Sequence, residues 1–147
     1  MPVRKAIPEK DGVYFITFTC INWFPLSKIC NAYDAVYNWF NHLKQRDHYI
    51  IGYVIMQSHV HAVIAFCNTG KSINTIVSNG KRFIAYDLIQ RLQQQNSHLI
   101  LSELSLSLNN TEIKEGKLHN VFETSFDWKP AWRQTGNAEQ KNSFSKS

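Results

Sequence analysis

A chain of 147 residues, 44% hydrophobic and 13% aromatic, has apolar mass for one core and little beyond it, which excludes a disordered chain and a multi-domain machine. Lys and Arg outnumber Asp and Glu by 16 to 11, and the formal charge of +5 permits a polyanionic partner without demanding one. Three widely spaced cysteines (Cys20, Cys30 and Cys67), no C-x-x-C and no secretory leader point to free thiols in a reducing cytoplasmic compartment, and no apolar run reaches the roughly 18–20 residues a bilayer needs.

Met1–Gly12 reads as a basic, proline-punctuated arm, whose Arg4, Lys5 and Lys10 suit phosphates but are explained as well by a solvated tail. Val13–Cys20 is strand-like, with Tyr14, Ile16 and Phe18 on one face and Phe15, Thr17 and Thr19 on the other. Asn22–Pro25 is a turn carrying Trp23 and Phe24. Ser27 can cap a helix, and Ile29, Ala32, Tyr33, Val36, Trp39, Phe40 and Leu43 recur at three- and four-residue steps, predicting one helix over Ser27–Arg46 with Asp34 and His42 off its apolar stripe.

Tyr49–Met56 predicts a strand buried on both faces. After a turn at Gln57–Ser58, His59–Phe66 alternates: Val60, Ala62, Ile64 and Phe66 face one way, and His59, His61, Val63 and Ala65 the other. Histidines at i and i+2 of a strand can approach one ion or phosphate together, whereas a helix would splay them. A pair lining a half-exposed sheet face is the plain alternative, weakened by the cost of polar groups inside an apolar strand.

Asn68–Gly70 is a turn, and Ser72 or Thr69 can cap a second helix with the stripe Ile73, Ile76, Val77, Gly80, Ile84, Leu88 and Leu92. Its other side carries Lys81, Arg82 and Arg91, with Tyr86 nearby, a basic flank that suits a nucleic-acid backbone or simply water. LILSELSLSL reads either way: Leu104, Leu106 and Leu108 alternate as in a strand, while Ile100, Leu104 and Leu108 fit one helix face, and the Leu and Glu content without a β-branched cluster favours a helix from Ser97 to about Asn109. From Asn110 onward the chain is charged and irregular, with an aromatic anchor at VFETSFDW; Trp128 and Trp132 either pack or stack on bases, and the residues after Gly136 are nearly devoid of apolar side chains. The expected architecture is a single α+β domain: an arm over 1–12, a core over 13–95 and an irregular, shortened C-terminal region over 110–147. The core is a ferredoxin-like (RRM-like) antiparallel sheet with two helices on one face.

YFITFTC, YVIMQSHVHAVI, GKSINTIVSNGKRFIAYDLI and GKLHNVFETSFDWKP, in that order, resemble the small tyrosine transposases of the HUH single-strand endonuclease superfamily, in its repeat-associated and insertion-sequence branch; many relatives have Pro where this chain has Gln57. The resemblance implies that His59 and His61 bind Mg²⁺ or Mn²⁺ and that the substrate is single-stranded, hairpin-forming DNA; independently, the exposed edges of a small sheet suit a homodimer formed by edge pairing or helix exchange. The resemblance also implies attack by a tyrosine hydroxyl to give a 5′-phosphotyrosine and a free 3′-hydroxyl. The family takes that tyrosine from a helix well after the histidine pair, and this chain has no tyrosine beyond Tyr86. Tyr86 is then the substitute nucleophile, with Tyr49 and Tyr53 behind it and Gln134 as a candidate third metal ligand. Three readings follow: a cleaving transposase, a DNA-binding relative that does not cleave, and a metal-dependent phosphodiester hydrolase that activates water.

Overall fold

A computed structural model describes residues 5–131 apart from Ser107 and Thr124. The strands are β1 (Gly12–Thr19), β2 (Tyr49–Ile55), β3 (His59–Phe66) and β4 (Asp127–Pro130). The helices are α1 (Leu26–Ile29), α2 (Tyr33–Gln45), α3 (Ile73–Gln94), α4 (His98–Leu106) and α5 (Asn110–Lys114). The sheet runs β2-β3-β1-β4, antiparallel throughout. Each half of the chain, β1-α2-β2 and β3-α3-β4, skips one strand position, and the two halves interlock in the ferredoxin-like manner that the sequence predicts.

Alternation on the two central strands sets the layers. Tyr14, Ile16 and Phe18 of β1 are buried with Val60, Ala62, Ile64 and Phe66 of β3, against Ala35, Val36, Trp39, Phe40 and Leu43 of α2 and the full predicted stripe of α3. Each large side chain buried there contributes roughly 1.5–3 kcal/mol relative to exposure. Ser72 caps α3 by accepting the amide N–H of Thr75 at 3.1 Å. The two helices meet at Gly80, where the absence of a side chain admits the indole of Trp39.

Four expectations need correction. The helix predicted over Ser27–Arg46 is two, α1 and α2, because Asn31 adopts φ 48° and interrupts the helical ladder; Asn tolerates this left-handed conformation better than most residues. Ser27 sits inside α1 and caps nothing. Tyr49–Met56 is not buried on both faces: β2 is a sheet edge, and Tyr49, Ile51, Tyr53, Val54 and Met56 are all exposed. The arm is not wholly a solvated tail, since Ile7 is buried and its amide donates to Asn74 Oδ1 at 2.7 Å.

The C-terminal region completes the sheet. The helix expected from Ser97 is α4, with Leu104 in the core. The fourth strand is the short DWKP segment on β1, where Pro130 is tolerated because β4 is an edge. Trp128 packs edge-on to Tyr14 at 5.8 Å between ring centroids, and its Nε1 donates to the Lys5 carbonyl at 2.6 Å. Arg4, Trp132, Gln134 and the end after Gly136 lie outside the described residues.

Candidate functional site

The helices cover one face of the sheet. The opposite face, formed by the alternate residues of every strand, is left open among the described residues, and His59 and His61 stand on it from β3, an interior strand. The register places Thr19 beside His59, and Thr17 beside His61 with Val54 on its other flank. Asp127 follows Thr17 in the same row, one strand further out on β4.

The two imidazoles lie 4.7 Å apart between ring centroids at 88°. Each is held by a hydroxyl at Nδ1: Thr17 Oγ1 lies 2.8 Å from His61 Nδ1, and Ser58 Oγ 3.1 Å from His59 Nδ1. Neither Nε2 has a partner among the described residues. With the proton on Nδ1, each ring donates to its hydroxyl and keeps the Nε2 lone pair for a ligand. Metal-binding histidines commonly have this second support at the other nitrogen, which fixes tautomer and orientation. Burial, and then the neighbouring His61, hold the His59 pKa below its ordinary value, so its neutral, ligating form persists to lower pH. The donor set therefore fits a divalent ion. It is also incomplete, for among the described residues no three His, Cys, Asp or Glu side chains gather into a metal cluster. The remaining ligands of a hard cation must be oxygens from water, substrate or elsewhere.

Trp23 completes this corner. It is 64% exposed and meets the His59 ring edge-on at 5.3 Å between centroids. Asn22 and Trp23 both lie at positive φ, 52° and 57°, a left-handed pair that Asn22 tolerates and that costs about 1–2 kcal/mol at Trp23. The turn is anchored on both sides: the Cys20 amide donates to the Ser58 carbonyl at 2.8 Å, and the Ser27 amide to the Gln57 carbonyl at 3.1 Å. Trp23 is thereby fastened to the turn that launches β3.

The other candidates lie elsewhere. Lys81, Arg82 and Tyr86 come together in a cleft of about 670 Å³ between α3 and the segment that ends at Glu123, in the helix layer and therefore across the sheet from the histidines. Lys81 is buried, its Nζ donates to the Glu123 carbonyl at 2.8 Å, and burial, reinforced by the Lys117 charge, pushes its pKa down to about 8. Arg82 is exposed and donates to Asn79 Oδ1. Tyr86 is 69% exposed. Arg91 is engaged within the fold, in ion pairs with Asp87 at 2.8 Å and Asp34 at 2.9 Å and a hydrogen bond to the Asn31 carbonyl that lashes α3 to the start of α2. Tyr49 and Tyr53 belong to β2, Tyr53 leaning on Tyr37 and Phe40. The fold thus brings the histidines together and brings no candidate tyrosine to them within one chain.

Alternation in the sequence places Thr17 on the correct face but not beside His61, since register between β1 and β3 is a tertiary property. The sequence shows Trp23 only as a turn residue, and its proximity to His59 depends on backbone hydrogen bonds between segments 30 or more residues apart.

No protein-family model and no curated protein matches this sequence. Among solved structures, the chain is similar to the REP-associated tyrosine transposase bound to a REP hairpin, at 14% identity and a TM-score of 0.57, over 96% of this chain and 68% of that one. It is similar also to a candidate transposase from Deinococcus radiodurans R1, at 10% identity and a TM-score of 0.52, over 99% of this chain and 97% of that one. What the chain shares with both, at these identities, is its fold.

Proposed function

We propose that this protein binds single-stranded DNA across the open face of its sheet, with His59 and His61 holding a Mg²⁺ or Mn²⁺ ion against a backbone phosphate. The observation that carries the reading is the hydroxyl-supported pair itself: two imidazoles on one strand face, Nδ1 of each engaged by a hydroxyl and Nε2 of each without a partner among the described residues. The likeness in fold to two transposase structures, one bound to a DNA hairpin, favours DNA over other phosphodiesters. The bound ion supplies positive charge to the phosphoryl oxygens. Thr17 and Ser58 fix the rings that hold it, and the rigid interior strand keeps their spacing. The exposed edge at β2 offers unpaired backbone to a second copy, consistent with a homodimer.

Strand transfer is the further reading, and the position of Tyr86 determines its form. An exposed phenol on the helix side of the sheet would meet the histidine face of another copy of the chain. Its oxygen would bond to phosphorus, the 3′-oxygen would leave as a hydroxyl after taking a proton, and the 5′-phosphate would remain on the tyrosine. The experiment is incubation with end-labelled DNA hairpins from the sequence flanking the gene, with Mn²⁺, followed by a denaturing gel and mass mapping. Metal-dependent binding that is lost in the His59→Ala/His61→Ala protein supports the core proposal. An adduct absent in Tyr86→Phe adds strand transfer, and cleavage that survives Tyr86→Phe without an adduct points to activated water. Binding unaffected by chelator and by the double substitution refutes the site.

A further inference from the structure

Beside the phosphate site, the structure carries an aromatic group that the metal reading does not use. Trp23 offers a large, flat, 64% exposed ring in edge contact with His59. It is held in a left-handed turn that a bulky residue rarely adopts. An exposed indole gains little from such a conformation, and the backbone bonds from Cys20 to Ser58 and from Ser27 to Gln57 keep it next to the histidine rather than folded into the core. Phe24, its neighbour in the turn, is the residue that packs inward.

We infer that Trp23 is a stacking platform for the base attached to the phosphate held at His59 and His61. The inference rests on the DNA-binding reading and specifies how the substrate is positioned there. A nucleotide whose phosphate sits at the pair has its base within reach of the adjoining ring, and base–aromatic stacking is tolerant of sequence because every base has a π face. Stacking next to the metal site fixes the rotation of the strand about the phosphate, which the ion alone leaves free. Because the turn is tied down before DNA arrives, little ordering cost is incurred on binding. Phe15, also exposed on the open face, offers a separate ring two rows further along β1, beyond Thr17 and Thr19. The same surface binds single strands in preference to duplex, whose bases are already stacked on one another.

The test is fluorescence anisotropy with a labelled oligothymidylate and, separately, an abasic oligomer of equal length, both with Mn²⁺. Trp23→Ala should weaken binding of the oligothymidylate about tenfold or more. Trp23→Phe should recover most of that loss, and neither substitution should change binding of the abasic oligomer. Equal affinity of Trp23→Ala and wild type for the oligothymidylate overturns the inference. So does an equal loss on the abasic oligomer, which would mean that Trp23 serves only to hold His59. Failure of the wild-type protein to bind the oligothymidylate overturns the DNA reading together with this one, whereas binding indifferent to Trp23 overturns this one alone.

Discussion

Replacing Gly80 by alanine adds one methyl group where α3 crosses α2, and the fold predicts that this is too much. A Cβ built on Gly80 lands on the Cε2, Nε1 and Cζ2 atoms of Trp39, far inside van der Waals contact. The indole cannot swing aside: it is 3% exposed, edge-on to Phe18 at 5.8 Å between centroids and tilted against Phe40 at 5.6 Å. Two effects oppose each other. Glycine to alanine within a helix gains about 1 kcal/mol from propensity, whereas overpacking costs about 1–3 kcal/mol and occasionally more. The obstacle is a buried ring rather than a flexible chain end, so the cost belongs at the upper end, for a net loss of about 2 kcal/mol. At roughly 2–4 °C per kcal/mol for a chain of this size, Tm should fall by about 4–8 °C. Urea unfolding followed by circular dichroism would measure the loss, and adding Trp39→Leu should make the double substitution cost less than the sum of the two singles. An alanine variant as stable as the wild type, or gaining the propensity term, would refute this packing of α2 on α3.

Three further outcomes test other parts of the structure. Cys20 and Cys30 are buried, and burial pushes their thiols up to about 12 and about 11, so iodoacetamide on the native protein near pH 8 should label Cys67 alone of the three; rapid labelling of Cys20 or Cys30 by peptide mapping would contradict their burial. His48 is buried, accepts the Cys67 amide N–H through Nδ1 at 3.1 Å, and burial holds its pKa below the ordinary value. The unfolded chain therefore takes up this proton first, and stability should fall as pH drops below about 6.5; chemical denaturation at several pH values should show a wild-type slope that is shallower in His48→Gln, and identical slopes would refute the assignment. Arg82 is exposed at the cleft with Lys81 and Tyr86, and we propose that a longer hairpin reaches it, so Arg82→Ala should weaken hairpin binding and lower the slope of log affinity against log salt by about one; an unchanged slope removes α3 from the DNA path.

Much of the fold was legible because its central elements bury one face and expose the other. Period-two alternation in β1 and β3, and the spacing from Ile73 to Leu92 in α3, each translate directly into a buried side. The misreadings have physical causes. β2 is as apolar as a buried strand, yet it ends the sheet, and composition cannot distinguish an unpaired edge from an interior position. The apolar rhythm from Ile29 to Leu43 runs through a break that a single φ at Asn31 creates. β4 has four residues and contains a proline, and it is a strand only because β1 offers it a partner. At the site the same division holds. The histidine pair was readable from its i, i+2 spacing, while the Thr17 hydroxyl at His61 and the Trp23 ring at His59 arise from contacts distant in sequence.

Titration of Mn²⁺ into the protein, with and without a single-stranded oligonucleotide and followed by electron paramagnetic resonance of the free ion, addresses the central claim most directly. An ion shared by His59, His61 and a DNA phosphate must bind more tightly when the strand is present, by reciprocal coupling. The account predicts that enhancement in the wild-type protein and its loss, together with most of the intrinsic affinity, in His59→Ala/His61→Ala with unchanged circular dichroism. Equal Mn²⁺ affinity in the two proteins, or an affinity indifferent to DNA, would contradict it.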